Sequence, residues 1–381
     1  MKSQSQMSGL QRLLRLPRKV RVPQPPELPP KVQRKIGAAV DKAVLTLMKG
    51  VRKSPRKNDF SRLQFEIQNA HDLYAEAGML VNPKLFHPVP EPLNIKKRKK
   101  RLGPAGRYTE LTFESGYRSP LNEPVGRRWM SKKENQTAYA GVFAHDDVTR
   151  PWIICMHGLG TGSPWIDFPA FQVRRLHKHL GLNVVVPVMP AHGARRASDQ
   201  ERGGLLSFEL VESLHGISQA VFEARNLVHW IREQGGTQIG FYGISMGSYV
   251  SALMSGLEEL DMVICAIPLC DIPELFSGHT TKRLRRRAEE HDILGPTLRS
   301  LFCLVSPEAL TPSAPESSRL IMAGTADHIT PNAQANKLSR AWKTPVTWFP
   351  GGHVSYFWSK PALQTVHQAL RAFANLEEAP L

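Results

Sequence analysis

Gly243-Ile244-Ser245-Met246-Gly247 constrains the fold of this chain more than any other stretch. It reads G-x-S-x-G. Thr237 to Tyr242, just before it, carries β-branched and aromatic residues and reads as a buried strand. Ser248 to Leu257, just after it, has apolar residues at helical spacing. A serine between two glycines at such a junction is the pattern of a sharp turn that lifts a hydroxyl above a sheet. Glycines flank it because a larger side chain would collide with the neighbouring strand or helix. The alternation of strands and helices along residues 108–381 predicts a mostly parallel, doubly wound α/β sheet around this turn.

A serine nucleophile needs a base, a group that orients the base, and donors for an oxyanion. Upstream, the apolar run Trp152 to Met156 leads into His157-Gly158-Leu159-Gly160-Thr161-Gly162, a glycine-bearing turn. The amides of Leu159 and Met246 would form the oxyanion hole. Downstream, Leu320 to Ala323 reads as a strand followed by Gly324-Thr325-Ala326-Asp327-His328-Ile329-Thr330-Pro331. A helical stretch, Asn332 to Trp342, precedes a last strand, Val346 to Phe349, which ends in Pro350-Gly351-Gly352-His353. Ser245, Asp327 and His353 all fall just past the carboxyl ends of predicted strands, where open α/β sheets bind ligands.

With H-G-x-G, G-x-S-x-G, G-x-x-D-x-x-x-P and G-G-H in this order, the chain resembles the α/β-hydrolase superfamily from about Tyr108 onward, within it an esterase-like branch of undefined substrate. The resemblance implies Ser245 as nucleophile, His353 as general base and Asp327 as the acid that orients it. Asp271 is the rival acid, since some members place it after the preceding strand; the G-x-x-D setting favours Asp327. His157 and His192 are candidates for the substrate pocket, and each has a plainer reading, as a brace for the oxyanion turn and as part of a turn. The implied activity is hydrolysis of a carboxylic ester through an acyl-enzyme, with no metal and no organic cofactor. Peptidase, thioesterase and lipase chemistry use the same constellation. Residues 272–317, between two core strands, lie where the family inserts a cap, and carry the basic cluster Lys282 to Arg287.

Charge marks the other boundary. Residues 1–107 hold 24 Lys and Arg against 7 Asp and Glu, the whole of the net +17, while residues 108–381 hold 26 of each. Residues 1–30 are rich in proline and arginine, which predicts an extended or disordered tail. Within residues 31–107, a basic helical extension, Val32 to Val51 and Phe60 to Ala77 read as helices. The first carries an apolar stripe at Val32, Ile36, Val40, Val44, Leu47 and Val51. Docking on the core is one reading of these helices; lying on an anionic membrane is the other. Lys96 to Arg101 reads as a solvated loop or a grip for phosphates. Its lack of interleaved aromatics does not favour nucleic acid.

The alternative from another class is a basic membrane- or nucleic-acid-binding protein on a non-catalytic scaffold. No apolar run approaches the length of a bilayer span. The four cysteines, Cys155, Cys265, Cys270 and Cys303, show no metal-ligand spacing and read as reduced. A cytoplasmic location is expected, with peripheral membrane association as its variant. Partners are a small-molecule or lipid ester and, through residues 1–107, an anionic membrane surface.

Overall fold

The structure, a computed structural model, describes residues 29–51, 59–103, 106–196 and 205–376. The predicted tail lies outside them except for Pro29 and Pro30. Among the described residues the strands are β1 (Lys96–Leu102), β2 (Gly106–Glu114), β3 (Thr137–Phe143), β4 (Trp152–Met156), β5 (Asn183–Val188), β6 (Ile239–Ile244), β7 (Met262–Ala266), β8 (Arg319–Gly324) and β9 (Val346–Phe349). They form one nine-stranded sheet in the order β1-β2-β3-β5-β4-β6-β7-β8-β9. The pairs β1–β2, β2–β3 and β3–β5 are antiparallel, and all later neighbours are parallel.

Central strands are buried on both faces, which is why they read as unbroken apolar runs. From β4 the chain steps outward to β5, then returns across β4 to β6. The connections after β4 and β6 therefore leave the sheet on either side of a topological switch point, the crevice where such sheets hold ligands. In register, Met156 faces Gly243, Gly243 faces Cys265, and Ala266 faces Met322. The turns after these strands thus emerge together.

The cationic run is not a loop. Lys96 to Arg101 belongs to β1, the edge strand, paired from Lys96 opposite Thr112 to Leu102 opposite Gly106. Lys100 reaches Glu110 on β2 at 2.6 Å. A row of charges on an edge strand deters a further strand from adding to the sheet, so pairing satisfied what composition alone read as solvation. The sheet consequently starts upstream of residue 108.

The helices are α1 (Pro30–Val51), α2 (Asp59–Glu76), α3 (Pro124–Met130), α4 (Pro164–Ala170), α5 (Val173–Lys178), α6 (Leu210–Glu233), α7 (Met246–Leu257), α8 (Ile272–His279), α9 (Lys282–Glu290), α10 (Pro296–Phe302), α11 (Asn332–Trp342) and α12 (Lys360–Phe373). The turn at residues 157–162 is followed by two short helices, α4 and α5. Pro169 lies in the last turn of α4, and Gln172, with φ 50°, redirects the chain before α5.

Both helices of the extension dock. α2 buries Phe60, Leu63 and Ile67 in the same core as Leu298, Leu301 and Phe302 of α10. Arg62 pairs with Glu209, and Arg128 of α3 bridges Glu66 of α2 to Glu212 of α6. α1 docks by a face centred beside the apolar stripe: Gly37 and Asp41 are buried and Val44 of the stripe lies at its border, whereas Val32 and Ile36 are exposed. Close backbone approach and hydrogen bonding chose this face, not apolar volume.

Candidate active site

Ser245 occupies the turn between β6 and α7 with φ 56° and ψ −117°, a conformation that costs a non-glycine residue energy. Two close approaches impose it. A Cβ on Gly243 would strike the carbonyl of Gly247, and a Cβ on Gly247 would strike the carbonyl of Met156 at the end of β4. The Ser245 N–H donates to the Ala266 carbonyl of β7 at 3.0 Å, pinning the turn to the next strand.

Three side chains line up from this serine. Ser245 Oγ lies 2.9 Å from His353 Nε2, and His353 Nδ1 lies 2.8 Å from Asp327 Oδ2. Asp327 and His353 are both buried. The carboxylate is held from its own loop: the amides of Ile329 and Thr330 donate to Oδ1 at 2.9 and 2.7 Å. The Thr330 hydroxyl donates to Oδ2 at 3.0 Å and lies 3.0 Å from His353 Nδ1. With Nδ1–H directed at the carboxylate, Nε2 is left as an acceptor for the serine proton.

Asp271 is committed elsewhere. Its Oδ1 accepts the Glu274 amide at 2.8 Å, capping α8, and its other oxygen binds Lys337. The residue that touches His353 is Asp327.

The oxyanion candidates flank the serine. The Met246 amide opens α7, where the first N–H groups have no acceptor within the helix. A Cβ on Gly158 would lie 3.6 Å from Ser245 Cβ, so the 157–162 turn packs directly on the nucleophile turn, and Leu159 lines the cavity beside Ser245. His157 braces that turn. The Met189 amide donates to its Nε2 at 3.0 Å, which leaves Nδ1–H to donate to the Gly158 carbonyl at 2.8 Å. Burial holds its pKa down at about 4, so the ring is neutral. Asp167 steadies the far end, accepting the Gly162 amide at 2.9 Å, and burial lifts its carboxyl to about 6. Of the two histidines proposed for the pocket, His157 lines it. His192 does not; it packs edge-on behind His157 at 5.1 Å and bonds to the Pro190 carbonyl.

Ser245 and His353 open into a cavity of about 620 Å³ whose walls are mainly apolar. Leu159, Phe171 and Ile267 come from the core, Leu275, Phe276 and Leu284 from the 272–317 insertion, and Val44 and Leu45 from α1. The 272–317 segment thus lines part of the cavity, and His279 ties it to the Asp327 loop through the Ile329 carbonyl at 2.7 Å. Sequence reasoning did not identify Thr330, Asp167, or the contribution of α1. Thr330 had a signal, its position inside the G-x-x-D-x-x-x-P turn. Among the described residues, no group of three or more His, Cys, Asp or Glu is arranged to hold a metal ion.

The sheet order, the serine turn at its switch point and the cavity beside it define an α/β hydrolase. The chain belongs to the family described as alpha/beta hydrolase domain containing 18, which matches residues 93–291. That span includes the turns at Leu159 and Ser245 and ends before Asp327 and His353. The chain is also similar to an uncharacterized protein of Mycobacterium tuberculosis (strain CDC 1551 / Oshkosh), 32% identical over 364 residues, covering 94% of this chain and 87% of that protein. Its counterpart in strain H37Rv has the same identity and coverage. Among solved structures, acetyl xylan esterase 1 from Thermoanaerobacterium sp. JW/SL YS485 aligns with a TM-score of 0.55 at 12% identity, covering 85% of this chain and 96% of that one. That likeness extends to the fold alone.

Proposed function

We propose that the protein is a serine hydrolase that cleaves carboxylic esters with an apolar acyl group. The observation that carries this reading is the unbroken chain Ser245–His353–Asp327, with contacts of 2.9 and 2.8 Å, at the wall of a largely apolar cavity. Ser245 Oγ attacks the acyl carbonyl as His353 Nε2 takes its proton. The amides of Leu159 and Met246 receive the oxyanion. The tetrahedral intermediate collapses, the C–O bond to the alcohol breaks, and the imidazolium returns the proton to the leaving oxygen. Water, deprotonated by the same imidazole, then releases the acid and restores the serine. Asp327 keeps Nδ1 protonated and stabilises the imidazolium in both halves.

A cavity of about 620 Å³ is the size of an ordinary small-molecule site, and its apolar walls favour an acyl chain of several carbons over acetate. The test is turnover of p-nitrophenyl esters of rising chain length, with labelling by a fluorophosphonate. Ser245→Ala and His353→Ala should each remove nearly all turnover, and the double variant should be little worse than either, because such groups act as a unit. Ser245→Ala with normal turnover would sink the mechanism. Amide or thioester substrates turned over in preference to oxygen esters would reassign the leaving group on the same residues.

A second reading concerns where the substrate comes from. Ile166 and Phe357 line the cavity, and they and their neighbours Trp165 and Trp358 are exposed. Ile36 of α1 shares a groove with Trp358, near the exposed Lys31, Arg34 and Lys35. Aromatic and apolar side chains rimmed by cations suit an anionic bilayer, with about 1 kcal/mol of attraction per basic group near the surface. Vesicles containing anionic lipid should sediment the protein more than neutral vesicles do, and Glu at positions 31, 34 and 35 should abolish the difference. Equal sedimentation removes this reading.

A further inference from the structure

One carboxylate outside the serine–histidine–aspartate chain contacts both of its loops. Asp41 lies on α1 and is fully buried. Its Oδ2 accepts the His353 amide at 2.7 Å and the His328 amide at 3.0 Å, and its Oδ1 accepts the Val354 amide at 3.0 Å. His328 follows the acid, Asp327, so a single side chain spans the backbone beside the acid and beside the base. A turn earlier on the same helix face, Gly37 lies flat on the histidine loop. A Cβ there would strike the Gly352 nitrogen and lie 3.0 Å from the Gly351 carbonyl carbon. The next turn supplies Val44 and Leu45 to the cavity wall. In a segment with nine Lys and Arg between residues 28 and 58, Asp41 is the sole acidic residue, and it points inward.

We infer that Asp41 is a positioning residue for His353, and that α1 is a working part of the active site and not an appended helix. The inference rests on the proposed roles of Ser245, Asp327 and His353. The physical basis is backbone control of a side chain. The loop Pro350 to His353 contains two glycines, and although the Ser355 hydroxyl holds Gly352 and the Ala326 amide holds the Gly351 carbonyl, the amide of His353 itself is held by Asp41. Asp41 supplies acceptors for two successive amides, at His353 and Val354, where the loop turns into the short helix Val354–Trp358. A shift of the His353 backbone moves the imbedded ring against both Ser245 and Asp327. A misplacement of about 1 Å at such a chain costs on the order of 100-fold in rate. The second bond of Oδ2, to His328, keeps the acid loop in step with it.

Asn is the informative substitution. It has the shape of Asp, but only one of its two positions accepts; the other carries an NH₂ that would face a backbone N–H. Asp41→Asn should lower kcat for a short soluble ester about 100-fold while KM changes less than about threefold. Proton NMR supplies a readout that helix docking alone would not move: the low-field Nδ1–H resonance of His353, identified by its loss in His353→Gln, should shift or broaden. Gly37→Ala, which keeps Asp41 but forces α1 away from Gly352, should reproduce both effects and decides the matter if Asp41→Asn does not fold. Lys42→Ala, on the exposed face, should change nothing. A folded Asp41→Asn or Gly37→Ala enzyme with wild-type kcat and an unmoved resonance overturns the inference, even if its Tm is lower. Ser245→Ala run alongside separates the two levels. If it is inactive while Asp41→Asn is not, only the positioning role fails; if it is active, the triad reading fails as well.

Discussion

Asp327 and Asp271 show how two carboxylates at neighbouring strand ends acquire different work. Each stands just past a parallel strand and each is bound by backbone amides. Asp327 keeps an oxygen for His353, whereas Asp271 gives one oxygen to α8 and the other to Lys337. Asp327→Asn should therefore lower kcat by about four orders of magnitude, since an amide favours the wrong imidazole tautomer. Asp271→Asn should leave kcat within a few-fold, and should lower stability by about 1 kcal/mol through the weakened cap. Steady-state kinetics and urea titration of the two variants check the ranking; the reverse order in kcat would transfer the acid role to Asp271. Ser245, His353 and Asp327 were legible because the chemistry demands unusual backbone around them, and glycines record that demand in the sequence. Asp41 was not, because its partners are backbone amides. An acid on a helix carries no mark of the amides it will meet.

At the scale of elements, the strands Trp152 to Met156 and Val346 to Phe349 have the expected bounds, as β4 and β9. β1 was missed, since six successive cations give no alternation for a pattern to detect and only its pairing with β2 makes it a strand. α1 was found as a helix, but its docked face was not, because a glycine and an aspartate carry the contact. The 272–317 segment, read in the sequence as a cap insertion, adds a specific expectation. Phe276 of α8 lines the cavity. Phe276→Ala should reduce kcat/KM for an octanoyl ester about tenfold more than for an acetyl ester, as a lost apolar wall costs the longer chain about 1–3 kcal/mol and the short one little. A uniform loss across chain lengths would mean that Phe276 shapes the segment and not the acyl site.

For the whole molecule, buried histidines set the response to acid. Burial holds the pKa of His87, His157 and His367 at about 4 and that of His192 at about 3. Unfolded, each would titrate near 6.5. The stability they permit is full above that value and is lost as pH falls from about 6.5 toward 4, because the unfolded chain takes up protons that the fold refuses. Asp167 opposes them in part: its carboxyl, raised to about 6, binds a proton in the fold before it would in the unfolded chain. From these five groups the net uptake on unfolding near pH 5 is thus about three protons, a slope of about 4 kcal/mol per pH unit. Urea midpoints at pH 7, 6 and 5 should fall accordingly; midpoints independent of pH would show that these rings charge without unfolding.

The bond between Asp41 and His353 joins residues 312 positions apart. On a ribosome, α1 is made long before any amide that its carboxylate will bind. Throughout that interval the serine turn, the 272–317 segment and the sheet can assemble around a site that lacks its last fixed point. Contacts of such span close late, after the loop entropy between them has been overcome. Turnover should consequently reappear after helical circular dichroism when the protein is diluted from denaturant.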